Sequence, residues 1–276
     1  MSAKIPLAGV IGAPVGHSKS PALHNHWLRS LGIAGHYVPL HVEPGDLEDA
    51  LRMMPRMGFV GTNVTIPHKE AVLDLATEVS EVAARIGAAN TLQFLPDGEI
   101  FADNTDASGY SDSLVAGAPD WQADQAPAHV FGAGGAARAV LVALMDLGVP
   151  KITLSNRTRA RAEAMAASLG DQIEVVDWRD EAEALSEAGL VVNTTSLGMS
   201  GQPPFDLDLS QMQPGCVASD IVYVPLETPF LSAARAQQAH IVDGVGMLIH
   251  QATPGFERWF GAKPVVDDTC RDLVLA

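Results

Sequence analysis

Short apolar runs rich in β-branched residues recur along the chain. Between them lie stretches in which apolar positions return every three or four residues. The first kind of pattern fits strands and the second fits helices. "IPLAGVI" (5–11) predicts a buried strand, followed by the glycine- and proline-rich loop "GAPVGHSKSP". Ser20 and Pro21 fit an N-cap and first helical position for "PALHNHWLRSLG", with Gly32 as its stop. "GHYVPLHV" predicts a strand, a helix is expected near 44–57, "GFVGTNVTI" predicts another strand, and "KEAVLDLA" and "SEVAARIGAAN" predict helices. "NTLQFLPDGEIFADN" predicts a hairpin turning at Pro96-Asp97-Gly98. A second alternating series starts at "AHVFGAG" and runs through "KITLSNR", "IEVVD", "LVVNTT", "CVASDIVY" and "HIVDG", with helices between. The tail from Gly246 to Ala276 is largely helical by pattern. Alternation of this kind predicts an α/β fold with mostly parallel sheets.

A chain of 276 residues exceeds the usual size of one domain. Composition shifts at "GAPDWQADQAPA" (117–128), a linker or peripheral loop. The net charge of −16 repels nucleic acid and anionic lipid, so neither is expected as a partner. An anionic substrate would need a locally basic pocket. The two cysteines, Cys216 and Cys270, have no metal-ligand spacing, so no metal is expected. The first 20 residues have no continuous apolar segment of the secretory kind, and the expectation is a cytoplasmic protein.

Residues 132–137, Gly-Ala-Gly-Gly-Ala-Ala, follow the apolar "HVF" and open an apolar helix. That is the context a dinucleotide loop requires. The first glycine makes the turn, the second lets backbone approach a pyrophosphate, and the small sixth residue lets helix and strand pack closely. The next strand ends in Ser155-Asn156-Arg157-Thr158, with Arg159, Ala160 and Arg161 beyond. An NAD-binding chain carries an acid here for the ribose 2′-hydroxyl. None stands at 153–161. Three arginines beside Asn156 and Thr158 suit a 2′-phosphate instead, which points to NADP.

"NVTIPHKE" (63–70) sets Asn63 and Thr65 on one side of an alternating run and places Lys69 just after a proline turn. A lysine can serve as general acid and base for a carbonyl reduction. "ADNTD" (102–106) offers Asp103 and Asp106 as carboxylates to hold it. Ser18, Ser20, Asn90 and Thr91 add donors suited to a polyhydroxylated carboxylate.

Together these segments resemble the shikimate dehydrogenase family. The resemblance runs nearly end to end, through "GHSKSPALHN", "NVTIPHK", "GAANTL", "DNTD", "GAGGAARA", "NRTRAR", "NTTSLGM", "DIVYVPLETPFL" and "DGVGMLIHQA". It implies a substrate domain formed by 1–105 and 241–276. It also implies a doubly wound, Rossmann-type NADP-binding domain at 106–240, with the active-site cleft between the two. It gives Lys69 and Asp106 as the catalytic pair and Ser18 and Ser20 as holders of the substrate carboxylate. Thr65, Asn90, Asp106 and Gln251 line the ring hydroxyls, with Tyr223 nearby and Asn63 in support. Gly132, Ala133, Gly134, Gly135 and Ala136, with 156–161, grip NADP. Ile221 and Gly244 lie near the nicotinamide, and Glu81 matches a further cofactor position.

The reaction implied is reversible reduction of 3-dehydroshikimate to shikimate by NADPH, a step of aromatic amino-acid biosynthesis, by a monomer or homodimer. Two positions depart from the family pattern. Ala107 stands where glycine is usual, which matters only if that residue has positive φ, and "NTTS" replaces "NATS". Alternatives within the fold are quinate or an amino-shikimate as substrate. Outside catalysis, the alternative is an NADP-binding module without turnover.

Overall fold

The computed structural model describes residues 5–276. These fall into two compact units, one of residues through Thr105 together with Ile249–Ala276, the other Asp106–Leu248. The first unit contains β1 (Leu7–Gly12), α1 (Ser20–Ser30), β2 (His36–His41), α2 (Leu47–Met53) and β3 (Gly61–Val64). It continues with α3 (Val72–Leu75), β4 (Glu78–Val79), α4 (Glu81–Ile86), β5 (Thr91–Phe94) and β6 (Ile100–Asp103). The second unit contains α5 (Asp106–Gly117), β7 (Ala128–Phe131), α6 (Gly135–Asp146), β8 (Ile152–Ser155), α7 (Arg159–Leu169) and β9 (Ile173–Val176). Then come α8 (Ala182–Glu187), β10 (Leu190–Asn193), β11 (Val217–Asp220), α9 (Pro229–Ala236), β12 (His240–Val242) and α10 (Gly244–His250). α11 (Ala252–Phe260) and α12 (Asp268–Leu275) complete the first unit.

In the first unit the strand order is β2-β1-β3-β5-β6-β4. β1 is parallel to β2 and β3, while β5 is antiparallel to both its neighbours. The sheet is therefore mixed, because the hairpin at Pro96–Gly98 turns the chain straight back; Gly98 takes φ 92° there. β2 lies on one side of β1 and β3 on the other, so the winding reverses between β1 and β3. The helix expected from "KEAVLDLA" is reduced to the single turn of α3. Its first residues are drawn into a turn: the His68 amide donates to the Thr65 carbonyl (3.0 Å), and the buried His68 ring bonds the Val42 carbonyl (2.7 Å). β4, short and at the sheet edge, has no counterpart in the sequence reading.

The second unit's sheet has the order β12-β11-β10-β7-β8-β9, with every pair parallel. All four residues of each of β7, β8, β10 and β11 are buried, as a sheet covered by helices on both faces requires. The winding reverses between β7 and β10. The all-parallel sheet is what the alternation of elements predicts, and its doubly wound order is what the family resemblance implies. The stretch 118–127 is a loop within this unit. The first unit resumes at Ile249 rather than at 241, because β12 pairs with β11 and His240 bonds the Gly117 carbonyl of α5 (2.6 Å).

Candidate active site

Open α/β sheets hold ligands beyond the carboxyl ends of their strands, where the winding reverses. Each unit brings its candidate residues to that point. In the first unit, the loop leaving β1 carries Ser18 and Ser20, and the loop leaving β3 carries Thr65 and Lys69. The two loops are stitched together: the Thr65 amide donates to the Ile11 carbonyl (2.9 Å) and the Ala13 amide to the Ile66 carbonyl (3.1 Å). Asn90 joins them, its carbonyl accepting from the Val64 amide (2.8 Å). Lys69 is half-buried, with its carbonyl accepting from the Ala89 amide (2.7 Å). α1 begins one residue earlier than the sequence suggests. Lys19 is its N-cap and no side chain caps it, so the Ser20 hydroxyl is not consumed by the helix. The Ser20 amide instead donates to Ser18 Oγ (3.3 Å).

Beneath these loops lies a buried polar network. Asn63 Nδ2 donates to the Asn90 carbonyl and to Thr91 Oγ1, both at 3.0 Å. Thr91 Oγ1 donates to Asn90 Oδ1 (2.9 Å), which also accepts from the Thr105 amide (2.8 Å). The Thr105 hydroxyl donates to the Gln251 carbonyl (2.8 Å), and Asn90 Nδ2 reaches Gln251 Oε1 (3.4 Å). Gln251 is the N-cap residue of α11.

Of the two carboxylates in "ADNTD", Asp103 is occupied structurally. It bridges Arg258 (2.7 Å) and accepts from the Ser80 hydroxyl (2.6 Å) and the Asn104 amide (2.8 Å). Asp106 opens α5 in the second unit and is half-buried. Ala107 lies inside α5, outside the positive-φ residues, so glycine is not required there. Glu81 is exposed at the start of α4, whose N-cap Ser80 accepts from the Ala83 amide (3.1 Å).

In the second unit the glycine loop leaves β7 at the reversal point. Gly132 has φ 104°, and a Cβ there would sit 2.8 Å from both Thr194 Oγ1 and Thr195 Cγ2 at the end of β10. Only glycine fits. Gly134, Gly135 and Ala136 are exposed, and carbons built on the two glycines meet nothing within 4 Å, so bare backbone and the start of α6 face open space. That fits a pyrophosphate, which takes amide donors and the positive end of a helix. The Ala133 amide donates to Asn156 Oδ1 (3.1 Å), and Asn156 Nδ2 to the Thr158 carbonyl (2.8 Å), joining the loop after β8 to the glycine loop. Thr194 Oγ1 donates to the Phe131 carbonyl (2.7 Å), so "NTTS" serves to seat the turn.

Arg157, Thr158, Ala160 and Arg161 are exposed at the start of α7. Arg159 is set apart from them: it bridges Glu163 (2.7 Å) and Asp177 (2.6 Å). The sequence reading treated all three arginines alike, because Asp177 arrives from the end of β9. A carbon built on Gly244 would lie 2.6 Å from the Ile221 carbonyl, so those two positions are adjacent. Tyr223 is half-buried, and burial raises its pKa.

The sequence reading missed Asp220. It is buried and accepts from Thr228 Oγ1 (2.6 Å), the Val222 amide (2.9 Å) and Asn193 Nδ2 (3.0 Å), which ties down the segment that holds Ile221 and Tyr223. Burial pushes its pKa up to about 6 against those three bonds. Tyr37 and His24 were missed as well, although "HN" in "SPALHN" and the alternation in "GHYVPLHV" place them on buried faces.

Two other features stand apart from these loops. A cavity of about 830 Å³ opens at the amino ends of β10, β11 and β12, lined in part by Trp121, Gln125 and Cys216, on the opposite edge from the glycine loop. His26, Asp267 and Cys270 bring ligand-type atoms within 4.8 Å of one another. Two of the three have structural tasks: Asp267 caps α12, and Cys270 Sγ accepts from the Trp27 indole (3.2 Å).

Comparison with known proteins gives three family profiles along the chain. Residues 10–92 match the shikimate dehydrogenase substrate binding domain, 117–199 the shikimate/quinate 5-dehydrogenase profile, and 244–268 the shikimate 5′-dehydrogenase C-terminal domain. A shikimate dehydrogenase (NADP(+)) of Ruegeria sp. is 55% identical over 272 residues, covering 99% of both chains. The solved shikimate 5-dehydrogenase of Thermus thermophilus, in complex with NADP(H) and shikimate, is 36% identical with a TM-score of 0.86 over 99% of both chains. The quinate dehydrogenase of Corynebacterium glutamicum, in complex with NAD, is 34% identical with a TM-score of 0.90 over 98% of both.

Proposed function

Since the chain belongs to the shikimate dehydrogenase family, we propose that it is an NADP-dependent oxidoreductase interconverting 3-dehydroshikimate and shikimate. The observation that carries this reading is the placement of Ser18, Ser20, Thr65, Lys69 and Asn90 beyond the carboxyl ends of β1 and β3. Ser18 and Ser20 take the substrate carboxylate through their hydroxyls at the start of α1, where the positive end of the helix dipole favours an anion. This supplies the local attraction that the acidic chain as a whole lacks. Thr65, Asn90 and Gln251 meet the ring hydroxyls, with Asn63 holding Asn90 from below and Tyr223 adjoining.

Bound NADPH supplies two electrons as hydride to the ring carbonyl carbon. Lys69 gives its proton to the carbonyl oxygen as charge builds there, so that ketone, hydride and proton make one secondary alcohol. In the reverse direction Lys69 takes that proton back. The resemblance gives Asp106 as the second member of the catalytic pair, accepting from the substrate hydroxyl. Gly132–Ala136 hold the pyrophosphate, Asn156, Arg157, Thr158 and Arg161 the adenosine 2′-phosphate, and Ile221 and Gly244 the nicotinamide side. Arg159, already bridged twice, and Ala160 shape the turn. Glu81 adjoins the cofactor.

Quinate with NAD is the contrasting pair, given the Corynebacterium structure. The exposed Arg157 and Arg161, with no acid at 153–161, favour NADP. Absorbance at 340 nm tests both choices at once, using shikimate and quinate against NADP and NAD. NADPH formation from shikimate is expected to dominate. Preference for quinate with NAD would overturn the assignment.

A further inference from the structure

Asp220, the last residue of β11, is only 1% exposed. Its carboxylate collects three donors from three segments. Oδ1 accepts from the Asn193 side chain at the end of β10 (3.0 Å) and from the Val222 amide (2.9 Å). Oδ2 accepts from the Thr228 hydroxyl (2.6 Å). Val222 and Thr228 stand near the two ends of the loop between β11 and α9, so one side chain fastens the loop at both ends. Thr228 is also the N-cap of α9, where its hydroxyl accepts from the Leu231 amide (3.2 Å). A carboxylate is costly to bury unless its lone pairs are met. An amide in its place has only one acceptor atom, so one of the three donors would face a nitrogen.

The same clamp reaches the loop after β10. Asn193 Oδ1 accepts from the Thr195 hydroxyl (2.7 Å) and amide (3.1 Å), and Asn193 Nδ2 also reaches the Leu197 carbonyl (3.4 Å). The Ser200 amide donates to the Val224 carbonyl (2.9 Å), which joins the two loops again farther out. On its other side the loop after β11 lies against the start of α10. A carbon built on Gly244 would sit 2.6 Å from the Ile221 carbonyl oxygen and 2.7 Å from that of Val222. Ile221 is therefore fixed between the Asp220 clamp and α10. The glycine loop that leaves β7 is backbone-built, whereas this clamp, at the ends of β10 and β11, is made of side chains.

We propose that Asp220 is a positioning residue for the nicotinamide end of the cofactor. It sets where the Ile221 segment backs the ring, and so acts on hydride transfer rather than on capture of the cofactor. This rests on the reading above that Ile221 and Gly244 lie on the nicotinamide side. The adenosine phosphates are held by other loops, after β7 and β8, so the two ends of the cofactor are fixed by separate devices. Loosening one end leaves the other in place, and a reacting carbon displaced by a fraction of an ångström costs rate steeply.

Asp220→Asn keeps the shape and removes one acceptor. The experiment measures kcat for shikimate oxidation, and the Kd of adenosine 2′,5′-bisphosphate, a fragment with no nicotinamide. kcat is expected to fall roughly ten- to a hundredfold. The fragment Kd should stay within about twofold, which also shows that the unit is folded. KM for shikimate should change by less than about threefold, since the loss falls on the reacting step. Thr228 is tested alongside: Thr228→Val should lower kcat in the same way, while Thr228→Ser, which keeps the hydroxyl, should restore it to within about threefold of the wild type. Unchanged kcat in Asp220→Asn overturns the proposal. So does a fall in fragment affinity equal to the fall in kcat, which would make Asp220 merely structural, and so does an equal loss of kcat in the valine and serine variants. Absence of shikimate turnover in the wild-type protein would instead overturn the functional reading itself.

Discussion

Around the reversal point of the first sheet, Tyr37, Asn63, Asn90, Thr91 and Thr105 are buried and bonded largely to one another's side chains. Around the reversal point of the second sheet, the corresponding contacts are mostly backbone. Gly132 turns tightly, Thr194 bonds a carbonyl, and α6 packs through alanine, valine and leucine. The difference follows the ligands. A ring with several hydroxyls has to be read by side chains of fixed direction, and only a fully satisfied network fixes them. A pyrophosphate is the same in every dinucleotide, so amides and a helix end suffice. The first site should therefore fail by loss of any one polar group, and the second by insertion of bulk or by loss of charge.

The largest effect is expected at the one group that acts only during the reaction. Lys69→Ala should lower kcat by roughly 10²- to 10⁴-fold, the usual worth of a positioned acid. KM should change far less, because the interaction is made in the transition state. Initial rates at 340 nm separate the two. An unchanged kcat would remove Lys69 from the chemistry and leave the first site as a binding surface alone.

Next in size is a pair of opposed pH effects. His24, packed among Tyr37, Trp27, Phe256 and Trp259, has no hydrogen-bond partner for either ring nitrogen, and burial lowers its pKa to about 3. The unfolded chain then binds the extra proton first. Stability from His24 is full above about pH 6.5 and falls by about 1.4 kcal/mol per pH unit below it. Asp220 runs the other way. Its folded pKa of about 6 exceeds the unfolded value, so the fold holds the proton more tightly. Stability is lost as pH rises from about 4 to 6, by about 3 kcal/mol in all. Denaturant titrations from pH 4 to 7 read both. His24→Phe should flatten the acid slope, while Asp220→Asn should gain on the wild type as pH rises. His129 in the second unit, also lowered to about 3 by burial, is common to all three proteins. Parallel curves for wild type and either variant would remove that residue from the account.

The cofactor choice tests how local the sequence signal was. The glycine loop and the arginines after β8 were legible because each is a contiguous run whose chemistry depends on the turn it sits in. The reversal-point loops were legible for the same reason, through "HSKS" and "NVTIPHK". What escaped the sequence joins distant positions. Tyr37 meets Asn63 across β1, Asp103 is claimed by Arg258, and Arg159 is neutralised by Asp177. No spacing rule announces these pairs, and each changes a role. Arg157→Ala should lower the ratio of kcat/KM for NADP over NAD by roughly ten- to a hundredfold, the worth of a charged hydrogen bond. Arg159→Ala should lower it much less, because its guanidinium is already engaged with two carboxylates.

The smallest expected effects bear most directly on the contrast between the two sites. Thr91→Val keeps the side-chain volume but leaves one Asn63 Nδ2 proton and one Asn90 Oδ1 lone pair without their partner in a buried setting. Such an orphaned donor costs about 1–3 kcal/mol. Asn90 keeps its bonds to Thr105 and Gln251 but loses one of those that fix its side chain, so KM for shikimate should rise modestly along with the loss of stability. Thr194→Val is the matched change in the second site. There the Phe131 carbonyl still accepts from the Thr194 amide at 2.8 Å, no donor is orphaned, and the only other loss is a long contact to the Gly132 carbonyl (3.3 Å). The cost should be about 1 kcal/mol or less, with NADP affinity nearly unchanged. Urea denaturation with KM for each ligand gives both numbers. Equal penalties would mean that the second site also depends on its side chains, and that the division between a side-chain-built site and a backbone-built one is wrong.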